Sequence, residues 1–537
     1  MKLFYSRLLV LAVLFSVLIV SQSCEKPFDD VVPILTNIAP AYEVKIQVLD
    51  ANPNATNPFP DKPVVTLSGA AVDTGVIFNA GGTVVTSASG SAIVTSNTIN
   101  LVVKAGTVIS EAAPLKFIIK AEANNYLSNT KEITISSLDD IQYVNMGLLR
   151  LSNLPVGVST QSVSKIATAG SIGTNVTVNV GTSNAVSATF PGNTVFLDAT
   201  NTPITSAGNF SVTATSFSAA TPASISAVPG GVSGTTDTNQ NVSFVVAGAV
   251  EINATIGGKA IKSFSSPIPF VVNLSTGVFN PTTNAALKIG DQLTVWSKNA
   301  GSTIWKNESV AAVVSDGNGG LRATMQVSHL STWMLAFGIV DCTSKTSINY
   351  SSSSTGEEPF FIEARVNGGN NQLLYSGGRI LKNGDKFELR LPQNVSVTFN
   401  LYASASASGT PITTSTIPAC ATSVTLTNNV VSTNPLLSFD LQTKCTNGIA
   451  RYNGNISYKL STEKVYGPFT PSVDGKLTTN LLVWDQRYDF KVSYKGVDYV
   501  RSRTVTRGEF RQNGATWNFF GTGSTQQAFF NAPTACN

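Results

Sequence analysis

The feature that most constrains this chain is a recurring pattern of short runs in which apolar and polar residues alternate, each cut off by turn formers. Val44-Lys45-Ile46-Gln47-Val48 is one such run. A period of two puts Val44, Ile46 and Val48 on one face of a strand. Pro60-Asp61-Lys62-Pro63 then reads as a turn and Val64-Val65-Thr66-Leu67 as the next strand. Thr83 to Thr86, Ile93-Val94, Phe117 to Ala121 and Ile133 to Ile135 continue the series. About seven short strands in some 100 residues predict a two-sheet sandwich. Composition points the same way. Charged residues make up 12% of the chain, about half the usual share, whereas helical bundles need Glu, Lys, Arg and Leu in quantity.

At 537 residues the chain exceeds what one core usually organises. The predicted fold class is all-β, with tandem β-sandwich units of immunoglobulin-like or transthyretin-like type. The predicted divisions are a signal peptide (1–23), a linker (24–43) and a first sandwich (44–153). One or two sandwich units follow (154–340), then two more closed by disulfides (341–436 and 437–537). Residues 160–250 carry almost no charge, but alternating Val and Phe predict sheet there rather than disorder. Strong strand signals follow at Ile268 to Val272, Leu293 to Trp296 and Leu321 to Val327.

Several function classes recede at once. The net charge is +4, from 35 basic and 31 acidic residues, with no basic stripe, so nucleic acid is not an expected partner. The chain holds one histidine, His329, which argues against His-metal clusters and a separate His-based triad. The carboxylates are sparse and scattered, with no pair placed for glycosidase work and no Gly-rich phosphate loop. No metal and no cofactor is expected.

The N-terminus reads as an address. Lys2 and Arg7 precede an uncharged run of thirteen residues, Leu8 to Val20. That is too short to span a bilayer, which needs about 20, and fits a secretory signal. Ser21-Gln22-Ser23-Cys24 resembles a bacterial lipoprotein cleavage box, although Ser21 stands where that family has Leu or Val. The resemblance implies acylation of Cys24. The alternative is an ordinary signal followed by a free cysteine. Glu25 to Asp30, rich in acidic residues, resembles the surface-export signal of Bacteroidota lipoproteins. This implies outer-membrane attachment through acyl chains and display on the cell surface. Two or three chains hold firmly where one holds only weakly.

Four cysteines remain. Cys342 and Cys445 are each followed by Thr, while Cys420 and Cys536 are each preceded by Ala. This repeated context predicts the bridges Cys342–Cys420 and Cys445–Cys536, one per unit. The alternative is four buried thiols. No two cysteines sit at metal-ligand spacing.

Three further pieces carry resemblances. Val48-Leu49-Asp50, Lys62 to Leu67, Ser89 to Ala92 and Ala121-Glu122-Ala123-Asn124-Asn125-Tyr126 are similar to the carboxypeptidase regulatory-like module, a transthyretin-type sandwich. That similarity implies a structural or ligand-presenting role over residues 44–150. Ser328-His329-Leu330-Ser331-Thr332-Trp333 resembles the closing segment of extracellular sandwiches, one branch of which, the autoproteolytic domains of adhesion receptors, cleaves itself there. Mapped here, Ser331 Oγ attacks the Leu330 carbonyl and His329 takes the proton. The competing and favoured expectation is structural, with His329 in a turn and Leu330, Met334 and Ala336 on one core-facing strand face. Finally, Trp296, Trp305, Trp484 and Trp517 are candidate sugar-stacking residues, and the ordinary alternative is core packing.

The expected function is therefore non-catalytic: an interaction or accessory subunit of an envelope complex, with an envelope protein as partner. The alternatives are a glycan-binding surface lipoprotein resembling those of polysaccharide-uptake systems, or an adhesin. Self-cleavage at Leu330–Ser331 is a minor alternative.

Overall fold

The structure is a computed structural model that describes residues 42–519, apart from internal stretches of at most seven residues. It is all-β, a series of β-sandwich units. Helical elements among the described residues are single turns: Ala70–Asp73, Pro222–Ser226 and Arg507–Glu509.

The first unit pairs two sheets. One has five strands, in the order Ile77–Asn79, Thr98–Val103, Tyr42–Asp50, Gln142–Arg150, Tyr126–Leu127. The other has four, in the order Ile93–Val94, Val64–Ser68, Leu115–Glu122, Asn129–Ile135. Strand Tyr42–Asp50 runs parallel to Gln142–Arg150, with Val44 opposite Gln142. The alternation read from sequence holds here, since Val44, Ile46 and Val48 are buried against Leu67, Phe117 and Ile133. Of the expected Thr83 to Thr86 strand, Thr83 lies outside the described residues, and Val84 makes an isolated bridge to Phe78 instead of a strand.

Residues 158–340 build the largest core. A six-stranded sheet (Val176–Val180, Val186–Phe190, Phe196–Leu197, Ser263–Leu274, Leu321–His329, Val314–Ser315) faces an eight-stranded one. The spine of the larger sheet is Asn241–Ile256, sixteen residues long. On one side it pairs with Gly208–Ser218 and Ser233–Thr236, on the other with Thr332–Val340. Thr332–Val340 continues to Gln292–Lys298, then to Ile304–Ala312, which pairs in parallel with Ser233–Thr236. Five strands thus close into a ring, which leaves no free edge among them.

Aromatic rings fill that closure. Phe244 meets Trp296 and Trp305 edge-on, with centroids 5.1 and 5.3 Å apart. Two glycines make room. A Cβ on Gly234 would lie 2.8 Å from the Trp305 ring, and one on Gly338 would lie 2.6 Å from Trp296. A second aromatic cluster of Phe190, Phe196, Phe210, Phe264 and Phe270 packs under the six-stranded sheet. This is why the charge-poor stretch folds: its alternating Val and Phe bury enough apolar surface to offset the ordering cost.

The two later units repeat the sandwich plan. One sets Lys386–Leu389, Thr346–Ser352, Ser423–Asn428 against Leu373–Leu381, Glu358–Val366, Val397–Tyr402, Thr413–Ile417. The bridge Cys342–Cys420 closes it, with Cα atoms 5.6 Å apart. The other centres on Leu437, Phe439, Tyr458, Phe490 and Phe510.

Neighbouring units grip one another. Gly230 N–H donates to Asn129 Oδ1 at 3.0 Å, Ser243 Oγ donates to Asp341 Oδ1 at 2.7 Å, and Lys345 bonds Ser136. Val366 and Val395, from the unit after Cys342, join the large core of residues 158–340.

Candidate functional site

Strand Leu321–His329 belongs to the six-stranded sheet and Thr332–Val340 to the eight-stranded one. Leu330 and Ser331 are the whole connection between them. Both ends of this step are pinned: the Leu330 N–H donates to the Lys262 carbonyl at 2.8 Å, and the Ile252 N–H donates to the Ser331 carbonyl at 3.2 Å. The step therefore cannot relax into a straight strand. Leu330 packs against the core from this bend rather than from a strand face, and Trp333, Met334, Leu335 and Ala336 are all fully buried. Met334 and Ala336 face the core as expected, but Leu330 does not share their strand, and Trp333 and Leu335 are buried with them because every position from Thr332 to Ala336 is covered.

The bend gathers polar groups. His329 Nδ1 lies 3.1 Å from Ser331 Oγ. On the other side of the ring, Nε2 lies 3.2 Å from Glu308 Oε1. Ser297 Oγ donates to the same carboxylate oxygen at 2.8 Å and stands 3.4 Å from Nε2. Trp333 holds the imidazole from below, with ring centroids 4.8 Å apart, and its indole N–H donates to the His329 carbonyl at 3.0 Å. Partial burial pushes the Glu308 carboxyl up. Hydrogen bonds from Ser297, His329 and Lys306 outweigh it and hold the group below the usual carboxylate range.

A second pair flanks the bend. Thr332 lies directly between Glu251 and Lys298 in the sheet register, and its hydroxyl donates to Glu251. Burial raises the Glu251 carboxyl. Burial also lowers the Lys298 ammonium to about 8, against the opposing pull of Glu251. Lys298 Nζ donates to the Thr130 carbonyl of the first unit at 3.2 Å.

Of the residues singled out from sequence, the structure brings together His329, Leu330 and Ser331. Glu308, Ser297, Glu251 and Lys298 carried no sequence signal, because they come from strands distant in the chain. Trp296 and Trp305 lie inside the core and offer no face to a sugar. Trp484 is half-buried, edge-on to Phe510 at 5.2 Å. Trp517 sits on strand Thr516–Phe519, with its side chain outside the described residues. Cys24 and Cys536 also lie outside them, and with them the lipidation site and the Cys445–Cys536 bridge. Among the described residues no group of three His, Cys, Asp or Glu could hold a metal, and no helix is long and apolar enough to cross a membrane.

Hydroxyl, imidazole and carboxylate thus stand in line at a pinned peptide step. Such an order can relay a proton away from the hydroxyl.

No protein-family model matches the chain, and no curated protein does. Among solved structures it is similar to the Streptococcal ancillary pilin, at 9% identity and a TM-score of 0.14, over 44% of this chain and 95% of that one. It is similar to the Bacillus anthracis TIE protein at 9% identity and 0.14, over 89% and 72%. It is also similar to BcpA, the major pilin subunit of Bacillus cereus, at 9% identity and 0.13, over 72% and 99%. Likeness this slight carries no conclusion about fold or function.

Proposed function

We propose that this chain is a lipid-anchored protein of the outer membrane, displayed on the surface of a Bacteroidota-like bacterium, and that it acts as a non-catalytic interaction subunit of an envelope complex. In this reading the first unit is a carboxypeptidase regulatory-like module and Cys24 carries the acyl chains. The observation that supports it is the gripping of one sandwich by the next, through Asn129 and Gly230, Ser243 and Asp341, and the shared core at Val366 and Val395. Units joined in this way hold their loops and sheet edges at fixed spacing, as a scaffold for a partner must. The glycan alternative loses support from the burial of Trp296 and Trp305.

The test is purification of the tagged, lipidated protein from its native membrane in mild detergent, read by mass spectrometry. A stoichiometric envelope partner is expected, and Cys24→Ser is expected to release the chain from the membrane fraction. Recovery of the protein alone would overturn the reading.

A second reading, self-cleavage at Leu330–Ser331, is favoured by the 3.1 Å contact between His329 Nδ1 and Ser331 Oγ. Ser331 Oγ attacks the Leu330 carbonyl carbon while its proton passes to His329. The Leu330–Ser331 C–N bond then breaks and the proton moves to the Ser331 nitrogen, leaving an ester. Water hydrolyses the ester, giving a Leu330 carboxylate and a free Ser331 amine and hydroxyl.

A further inference from the structure

We infer that Glu308, braced by Ser297, is the positioning residue that fixes His329 in the tautomer whose bare Nδ1 faces Ser331 Oγ. The inference rests on the self-cleavage reading.

The argument starts from the register of two strands. Val295 pairs with Ser309, but Trp296 pairs with Asn307. Glu308 is therefore the extra residue of a β-bulge, a device that re-aims a side chain. Its carboxylate reaches His329 Nε2 at 3.2 Å. An ionised carboxylate only accepts hydrogen bonds. With the proton on Nε2, the ring donates to Glu308, and Nδ1 is left as an acceptor for the Ser331 hydroxyl at 3.1 Å.

The opposite tautomer would set the Nε2 lone pair against the carboxylate. It would also place an N–H where the Ser331 proton must arrive. The partner of one ring nitrogen selects the role of the other. Ser297 fixes the carboxylate in turn by donating to Oε1 at 2.8 Å, and Lys306 holds the second oxygen at 3.1 Å. Trp333 stops the ring from turning. The same carboxylate would stabilise the imidazolium that forms when Ser331 attacks.

Because His329 is the only histidine, its ring nitrogens can be observed without assignment. The experiment uses the full chain without a histidine tag, labelled with ¹⁵N-histidine, in a Ser331→Ala background that cannot cleave. The expected spectrum shows Nε2 protonated and Nδ1 bare. Glu308→Met is expected to give a mixture of tautomers, whereas Glu308→Gln, which keeps an acceptor oxygen, is expected to retain Nε2–H. With Ser331 present, Glu308→Met is expected to slow chain scission roughly a hundredfold or more, with Glu308→Gln in between. Matched thermal melts verify that the variants fold.

A protonated Nδ1 in the Ser331→Ala chain, or a tautomer indifferent to Glu308→Met, overturns the inference whether or not the chain cleaves. An intact wild-type chain with the expected tautomers removes the self-cleavage reading and leaves the positioning of His329 by Glu308 standing.

Discussion

Ser331 Oγ lies 3.1 Å from His329 Nδ1, although the two residues are two positions apart on a chain that is extended on either side. In a continuous strand, residues at that spacing are about 6.6 Å apart along the axis. The contact exists because Leu330 and Ser331 carry the backbone from one sheet to the other, and hydrogen bonds to Lys262 and from Ile252 hold the step in place.

The first prediction concerns that step. If the relay acts, the 56.3 kDa chain runs as two fragments on a denaturing gel, because the Cys342–Cys420 bridge lies wholly on one side of the break. Ser331→Ala is expected to run as one band, and His329→Ala to slow scission by a factor on the order of 100. A single wild-type band after prolonged incubation would rule the chemistry out.

The second concerns Lys298. Its folded pKa of about 8 lies below the ordinary 10.5. Between those values the unfolded chain binds more protons at this group, so stability rises with pH there. Below pH 8 both states are charged, and burial costs the folded state a few kcal/mol. The stability of wild type minus that of Lys298→Met should therefore increase from pH 8 to pH 10.5. Denaturant midpoints across that range check it, and a flat difference would show that Lys298 is not held as the structure has it.

The third concerns the bridge. Joining Cys342 to Cys420 closes a loop with a sequence separation of 78. The chain-entropy model gives about 4 kcal/mol for a loop of that size. Cys342→Ser with Cys420→Ser is expected to lower the urea midpoint of the unit that contains them. No shift would mean that the sandwich already holds these ends without the covalent link.

The fourth concerns the closed ring of strands. Trp305 is fully buried against Phe244. Trp305→Ala should destabilise the protein by about 3–5 kcal/mol. Retention on glycan columns should not change among folded variants, since the indole is out of reach of a sugar. Loss of glycan binding in a variant that melts normally would contradict this placement.

The strands themselves were legible because alternation is local. Val44, Ile46 and Val48 fall on one face from spacing alone, and the structure buries all three. The pairing of Cys342 with Cys420 was legible from the repeated residues around each cysteine. The tripeptide His329-Leu330-Ser331 stood out as a motif. Its working surroundings did not. Glu308 belongs to a strand whose exposed residues read as ordinary surface, and only a bulge turns it toward the imidazole. Glu251 and Lys298 look like solvated charges in sequence, yet both are buried beside Thr332. Trp296 and Trp305 read as core more readily than as a sugar platform, and the structure buries both.

The sequence by itself determined that the described chain is built on β-strands, and where several of them run, because side-chain direction repeats every two residues and needs no distant partner. Tertiary structure alone decided which strands meet. The closure of five strands into a ring and the meeting of Glu308 with His329 depend on apolar faces far apart in the chain being buried together. That free energy is a property of the assembled core and is not carried by any one segment.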